Sequence, residues 1–235
     1  MNMSEKSKHL KKEYRKSRVL TVLMILVVFF YILSSSIAVP ILCKPFYYAQ
    51  IGDLGLEESS GFTHEQIVTA YSEVVDYCIG AREDFAVGEL GYSEDGKDHF
   101  TDCRGLFLLD LGVLAGTVLI LVVWLLLRCI VPVRCTRPKG HSVGFWGALI
   151  VLISFVMIGG LGSIDFDKTF VIFHSLFFPG KANWIFNPEV DEIINILPEQ
   201  FFMRCAIVIV ALIVVQSLIF ILADLIAGAK RKHNK

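Results

Sequence analysis

Four long apolar runs dominate the sequence and limit what the chain can fold into. A helix needs about 20 mostly apolar residues to cross the hydrocarbon core of a bilayer. Each run reaches that length, and 54% of the 235 residues are hydrophobic. A signal peptide would have an apolar stretch of only about 7–15 residues, so the first run is better explained as a span. The predicted transmembrane helices are residues 19–42, 106–131, 143–162 and 202–227.

Charge alternates between the segments that flank these runs. Residues 1–18 carry seven Lys/Arg against two acids, residues 128–141 carry four Lys/Arg and no acid, and the C-terminal tail adds four more. In contrast, residues 44–105 hold thirteen Asp/Glu against four Lys/Arg, and residues 163–200 hold six against two. Because Lys/Arg-rich segments stay in the cytoplasm, both termini are expected inside and both acidic segments outside. This alternation needs an even number of spans.

The predicted fold is therefore an all-α membrane protein with four transmembrane helices, cytoplasmic termini and a small helical extracytoplasmic cap. The first and second outer segments, between spans 1 and 2 and between spans 3 and 4, form the cap. The basic ends are better explained as topology determinants beside anionic lipid than as a nucleic-acid site. The segments between spans are a basic tail at 1–18, the cap at 43–105, a cytoplasmic turn at 132–142, an extracytoplasmic helical segment at 163–201 and a basic tail at 228–235.

The first outer segment contains one clear amphipathic helix. Thr63 and Gln66 have the spacing of a capping box, and Phe62 is placed as a hydrophobic staple. Apolar residues then recur at helical spacing until Gly80, which is expected just past the helix end. The stretch that follows, up to the second span, is rich in turn-forming residues.

Two short helices are predicted in the second outer segment. Asp165 or Asp167 can cap a helix that runs to about Phe178, and Pro179-Gly180 would end it. Asn187 and Pro188 have the pattern that opens a further helix. The first of these helices has an apolar stripe, formed by Phe166, Phe170, Phe173 and Phe177.

Two of the six histidines are expected at the same membrane level. His99 lies shortly before the second span and His174 shortly after the third, so both belong near the outer interface. Asp102 follows His99 by three residues, and Asp167 precedes His174 by seven. The sequence thus favours a two-imidazole site over two unrelated structural histidines, which remains the alternative. His9, His141 and His233 fall in cytoplasmic segments, and His64 in an exposed helix turn.

Many enzyme classes lack support in this sequence. It has no phosphate-binding glycine loop, no dinucleotide glycine pattern and no serine elbow, and His64-Glu65 has no second histidine at zincin spacing. The spans hold few ionisable groups, which argues against a proton or ion pathway. The cysteines show no zinc-like spacing; Cys78 and Cys103 could pair, but buried free thiols are expected. The sequence therefore predicts chemistry without nucleotide, metal or other cofactor.

The chain resembles the four-span integral membrane family of Gram-positive bacteria that includes the lipoprotein intramolecular transacylase. The resemblance is carried by "HFTDCRG" at 99–105, by "FVIFHSLFFPGKANWIFNPEVDEIINILPEQFF" at 170–202, and by the order of the four spans. It implies transfer of the sn-2 acyl chain of a lipoprotein's diacylglyceryl-cysteine to that cysteine's own α-amine, with a lyso-form lipoprotein as product. It also implies a cell-membrane enzyme whose active site faces outward. Cys103 stands where this family usually has an aliphatic residue.

The resemblance implies that His99 and His174 correspond to the family's essential histidines. We predict that His174 is the base and that His99 is the acid or the orienting partner. The reverse assignment and a transient acyl-imidazole both stay open. Asp102 could orient His99 or cap a helix, and Arg204 could hold a substrate carbonyl or extend to the interface. The aromatic residues expected to line a groove for the fatty chains are Phe170, Phe173, Phe178 and Trp184.

Two other functions are compatible with the same pattern. A non-enzymatic membrane protein could bind a lipidated partner through the groove, and a different acyl-chain enzyme could deacylate phospholipid. The predicted partners are diacylated lipoproteins and membrane lipid, without nucleic acid. No sequence feature specifies an oligomeric state.

Overall fold

The protein is predominantly helical. The computed structural model describes residues 15–128, 130–162 and 165–233, with side chains throughout except at 158–162. Most of the predicted N-terminal tail, Cys129 and the last two residues lie outside the described residues. The helices in chain order are α1 Arg18–Leu42, α2 Lys44–Tyr48, α3 Leu56–Ser60, α4 His64–Cys78, α5 Glu94–Leu127, α6 Val143–Gly162, α7 Phe166–Phe177 and α8 Glu199–His233. The remaining elements are strands β1 Arg15–Ser17 and β2 Val133–Cys135 and 3₁₀ helices Pro138–Gly140 and Glu192–Ile196.

Among the described residues, three helices are long and apolar enough to cross a membrane by length and composition. They are α1, α5 and α8, which contain the first, second and fourth predicted spans. The third predicted span forms α6, an apolar helix whose described side chains cover only the shorter stretch Val143–Met157. A fourth crossing therefore stays a prediction.

The four long helices pack into one bundle, in which α1 contacts α5, α6 and α8. Close approach is visible at Gly147 of α6, where an added Cβ would lie 2.8 Å from Val28 Cβ and 2.9 Å from the Ile25 carbonyl oxygen of α1. Many apolar side chains on the outside of the bundle are exposed, such as Leu119 at 63% and Ile219 at 61%. Exposure of such a surface to water would be unfavourable, whereas its contact with lipid chains is favourable. The buried core of the bundle consists of Val28, Ile32, Ala148, Val151 and Ile213.

The basic segments meet at one end of the bundle. Strands β1 and β2 pair in parallel, which places Arg15 beside Val133. On α8, the buried Asp224 accepts hydrogen bonds from Arg137 Nη2 at 2.6 Å and contacts His141 Nδ1 at 2.8 Å. The N-terminal segment, the turn after α5 and the end of α8 are thus held together, as the charge pattern requires.

The acidic segments form a helical cap at the opposite end, with its own core. The predicted capping box of Thr63 and Gln66 is present at the start of α4, and Gly80 follows the helix end at φ +77°. The Tyr47 and Tyr71 rings stack with centroids 3.7 Å apart. Tyr47 also donates a hydrogen bond to the Ile196 carbonyl oxygen at 2.6 Å, which joins the first outer segment to the second.

Helix α5 begins well before the apolar run that forms the second span. The stretch predicted to be turn-rich contains no helix up to Ser93 but is helical from Glu94 onward, so the prediction was wrong for its second part. Ser93 is the N-cap: its Oγ accepts a hydrogen bond from Gly96 N at 2.9 Å. The acidic side chains of Glu94 and Asp95 in the first turn interact favourably with the positive end of the helix dipole and so stabilise the helix start. His99 therefore lies on a rigid extension of the span.

The helix predicted to open at Asn187-Pro188 does not form. The Asn187 carbonyl accepts hydrogen bonds from Val190 N and Asp191 N as a turn, and only the 3₁₀ helix Glu192–Ile196 follows. The reason is a contact distant in sequence: the Asp191 carboxylate is turned toward Ser93, and Glu192 N donates to the Gly91 carbonyl oxygen at 3.0 Å. The helix capped by Asp165 does form, as α7.

Candidate active site

The structure brings His99 and His174 together at the end of the bundle that carries the cap. Their ring centroids are 5.8 Å apart with an interplanar angle of 30°. His99 lies on α5 before the apolar run starts, and His174 lies near the C-terminal end of α7. Both are buried, with exposed fractions of 5% and 8%. Two elements that are 75 positions apart in the chain thus supply one paired-imidazole site.

Each imidazole has one nitrogen engaged by its own helix. His174 Nδ1 donates to the Phe170 carbonyl oxygen at 2.8 Å, which leaves its Nε2 with the free lone pair. His99 Nε2 lies 3.4 Å from Cys103 Sγ, one turn later on α5. The other nitrogen of His99, Nδ1, is buried and has no hydrogen-bond partner among the described residues. Each ring therefore keeps one nitrogen for another group.

Aromatic side chains enclose the pair. Phe178 contacts both imidazoles, at 4.9 Å from His99 and 5.7 Å from His174 between ring centroids. Trp184 stacks on His174 at 4.7 Å, and Phe170 lies 4.2 Å from it. Three of the four predicted aromatic residues thus form walls of the site.

The fourth, Phe173, has a different setting. Its ring centroid is 5.5 Å from that of His174, but 47% of the residue is exposed. Its neighbours Ile172 and Leu176 are exposed at 65% and 72%. Helix α7 therefore turns an apolar face outward, as an interfacial helix does.

Asp102 contacts the segment after α7 rather than the His99 ring. Its two carboxylate oxygens accept from Lys181 Nζ at 2.6 and 2.7 Å, and Asn183 Nδ2 donates to one of them at 3.1 Å. A direct hydrogen bond to His99 and a helix-capping role, the two roles predicted for Asp102, are both replaced by this contact. The ammonium of Lys181 is the stronger partner for a carboxylate.

Arg204, near the N-terminal end of α8, is paired within the cap. Its Nη1 donates to Gln50 Oε1 at 3.3 Å and lies 3.7 Å from Asp53 Oδ2. The predicted contact of Arg204 with a substrate carbonyl stays a prediction.

Both imidazoles are held in the neutral form. Burial lowers the pKa of His99 to about 4, helped by the proximity of His174 and only partly opposed by Asp102. Burial also lowers the pKa of His174, and the hydrogen bond to Phe170 offsets only part of this. Partial burial favours a raised pKa at Asp102, but the hydrogen bonds from Lys181 and Asn183 outweigh it, so the pKa of Asp102 is lowered. The site thus presents two neutral rings beside an ionised, paired carboxylate.

Several residues of the site were not predicted. Cys103 follows His99 at the i+4 spacing of one helix face, a signal that the sequence contained. No local sequence signal indicates Phe186, whose ring lies 5.4 Å from that of His99, or Lys181 and Asn183, which donate to Asp102. The partners of these residues lie far along the chain. The thiols of Cys78 and Cys103 are free, as expected.

No metal-binding group is visible in the described part of the chain, where no three His, Cys, Asp or Glu side chains are clustered suitably.

The long apolar helices indicate an integral membrane protein, and the buried imidazole pair is its candidate acid–base site. The chain belongs to the lipoprotein intramolecular transacylase Lit family, whose model matches residues 22–202. No curated protein matches the chain.

Solved structures of the membrane-integral lipoprotein intramolecular transacylase Lit from Bacillus cereus have the same fold. One is 25% identical, with a TM-score of 0.80, and the match covers 93% of this chain and 98% of that one. Two others, with a histidine replaced by arginine or by alanine, are 24% identical with TM-scores of 0.75. Each match covers 93% of this chain, and they cover 94% and 96% of those chains.

Proposed function

We propose that this protein moves the sn-2 acyl chain of a lipoprotein's diacylglyceryl-cysteine to that cysteine's own α-amine. The observation that carries the proposal is the imidazole pair, buried under aromatic rings with centroids 5.8 Å apart, at the end of the bundle opposite the basic segments. Family membership supports the same reaction. The product is an N-acylated lyso-form lipoprotein.

The proposed reaction needs no external energy source. An ester becomes an amide, which is downhill, so neither a nucleotide nor an acyl carrier has to drive the step. Donor and acceptor belong to one molecule, and well-oriented intramolecular reactions reach effective molarities of roughly 10⁵–10⁸ M. The protein then has to hold the amine and the ester in register and handle one proton.

His174 is the general base in this proposal. Its Nδ1 is engaged by the Phe170 carbonyl, so the free Nε2 can take the proton that the attacking amine loses. The bond between amine nitrogen and ester carbon forms, and the bond between that carbon and the glycerol oxygen breaks. The imidazolium of His174 then returns the proton to the glycerol oxygen.

His99 serves as a neutral hydrogen-bond donor. Burial raises the pKa of the Cys103 thiol, which therefore keeps its proton and can donate to His99 Nε2. That contact places the imidazole hydrogen on Nδ1, the nitrogen that has no partner among the described residues. Nδ1–H can then bind the ester carbonyl oxygen as it becomes negative, in the manner of an oxyanion hole.

The same proposal includes the membrane topology. Helix α6 is the third of four spans, the basic end of the bundle faces the cytoplasm and the cap faces outward. The exposed apolar face of α7 lies at the lipid interface, where the fatty chains remain in lipid while the ester reaches the histidines. Phe170, Phe173, Phe178 and Trp184 border that path, and Arg204 lies at the same end of the bundle.

Mass spectrometry of a co-expressed lipoprotein tests the proposal. With the wild-type protein, the N-terminal peptide should gain an N-acyl group and lose the sn-2 acyl group. His174→Ala should slow transfer by roughly 10²–10⁴-fold, the usual contribution of a general base. The matched control is His64→Ala, which removes a histidine that is 61% exposed on the same cap and should transfer normally.

Equal amounts of diacyl peptide with wild type and His174→Ala, with both proteins present in membranes, would contradict the proposal. Capture of the lipoprotein without any acyl movement would instead indicate a binding protein. Fatty acid released from plain phospholipid vesicles would indicate a deacylase.

A further inference from the structure

The segment after α7 crosses over α5 and carries part of the site. We call residues 179–191 the strap. Its near end is attached by Lys181, which donates to both oxygens of Asp102, and by Asn183, which donates to one of them. These three side chains also line one side of a cavity of about 550 Å³ that opens beside α5.

The middle of the strap touches both imidazoles. Trp184 stacks on His174 at an interplanar angle of 29°, and the Phe186 ring lies 5.4 Å from His99. A displacement of the strap would therefore move an aromatic side chain that contacts each imidazole. Trp184 directly follows the residue that binds Asp102.

The far end of the strap is attached more firmly than the near end. Asp191 is 5% exposed and accepts hydrogen bonds from Ser93 N at 2.8 Å and Ser93 Oγ at 2.7 Å. At the near end, the side chains of Lys181 and Asp102 are 49% and 25% exposed. Only the near end can therefore be released without disturbing a buried attachment.

We propose that Asp102, Lys181 and Asn183 form a clamp that fixes the near end of the strap and so positions Trp184 and Phe186 against the two imidazoles. The clamp residues position the site and do not touch the reacting atoms. The activity test of the clamp rests on the function proposed above.

Little of the clamp's effect should appear as stability. Ion pairs that are this exposed contribute little to the free energy of unfolding. A misplacement of about 1 Å in an active site, however, can cost about 100-fold in rate. A clamp thus predicts a large loss of kcat with a small change in Tm, whereas a merely structural pair predicts no selective loss of kcat.

The test compares Lys181→Met and Asp102→Asn with wild type in the acyl-transfer assay. Both variants should lose about 10–100-fold in kcat with little change in KM. The exchanged pair, Asp102→Lys with Lys181→Asp, should recover part of the kcat because it restores the attraction. The matched control is Lys168→Met, which removes a lysine whose partner Asp165, at 2.7 Å, belongs to the same helix end; its kcat should stay normal.

Hydrogen exchange of the strap amides gives a readout that does not need activity. Residues 181–186 should exchange faster in Lys181→Met than in wild type, and not in Lys168→Met. Unchanged exchange, a wild-type kcat in either single variant, or no recovery in the exchanged pair would overturn the clamp. If wild type itself transfers no acyl group, the proposed function fails, and the exchange rates still decide the clamp.

Discussion

A single methyl group added at Gly96 tests how the strap is attached to α5. Gly96 lies in the first turn of α5, where its amide donates to Ser93 Oγ. An added Cβ would overlap Asp191 Oδ1, and it would lie 3.1 Å from Asp191 Cγ and 3.3 Å from Phe186 Cε1. Gly96→Ala therefore drives the strap away from α5 at its firmly held end.

The magnitude follows from the two ways in which the overlap can be relieved. If the Asp191 carboxylate moves, it gives up hydrogen bonds from Ser93 worth about 1.5–3 kcal/mol each, because the acceptor is charged. If α5 and the strap separate instead, overpacking costs about 1–3 kcal/mol. The less costly route sets the effect, so the clash destabilises the cap by about 1–3 kcal/mol.

The matched control is Gly105→Ala on the same helix. A Cβ at Gly105 would meet nothing within 4 Å. Alanine favours a helix over glycine by about 1 kcal/mol in both variants, so the difference between them isolates the clash. At about 2–4 °C per kcal/mol, the Tm of Gly96→Ala should be about 2–12 °C below that of Gly105→Ala.

The assay uses thiols that the cap already contains. Cys78 is 2% exposed, so a dye that fluoresces on reaction with thiols reports the unfolding of the cap as detergent-solubilised protein is heated. A Tm for Gly96→Ala equal to or above that of Gly105→Ala would refute the packing of Asp191 on Gly96.

Two further predictions use the same assay. First, burial and then the proximity of His174 lower the pKa of His99 to about 4, against about 6.5 in the unfolded chain, so the unfolded chain binds a proton at His99 first as the pH falls. The stability that the neutral His99 contributes should therefore be full above about pH 6.5 and be lost toward about pH 4. The Tm should decline less steeply over this range in His99→Gln. A wild-type decline no steeper than that of His99→Gln would contradict the burial of a neutral imidazole. Second, Tyr47→Phe removes the hydrogen bond to the buried Ile196 carbonyl and should lower stability by about 1–3 kcal/mol; an unchanged Tm would contradict that bond.

Features with a local physical cause could be predicted from the sequence. In the capping box of Thr63 and Gln66, and in the N-cap formed by Asp165 with Lys168 N, the two partners are three residues apart. A short stretch of sequence therefore contains both partners. The apolar runs identified the long helices for the same reason, since length and hydropathy are properties of a single segment. The pairing of His99 with His174 was expected from their common membrane level.

Features that depend on distant partners could not be predicted. For Asp102 the sequence suggested only local roles, orienting His99 three residues away or capping a helix, whereas its hydrogen-bond partner Lys181 lies 79 positions along the chain. Asn187 and Pro188 have a good helix-opening pattern, but the hydrogen bonds that Ser93 donates to the Asp191 carboxylate hold the next residues in a different path. In each case a contact between the two outer segments outweighed a local preference.

The neutral state of the two imidazoles, which burial favours, suits the reaction that the site is proposed to perform. An α-amine with an ordinary pKa of about 7.7–8.0 is only roughly one tenth to one sixth unprotonated at pH 7. A base that was itself protonated at that pH would repel the ammonium form and could not accept a proton after attack. Burial of His99 and His174 avoids both problems, and it does so without a buried charge. The amine nitrogen becomes far more acidic once it has bonded to the ester carbon, so a base with a lowered pKa can still take its proton at that point.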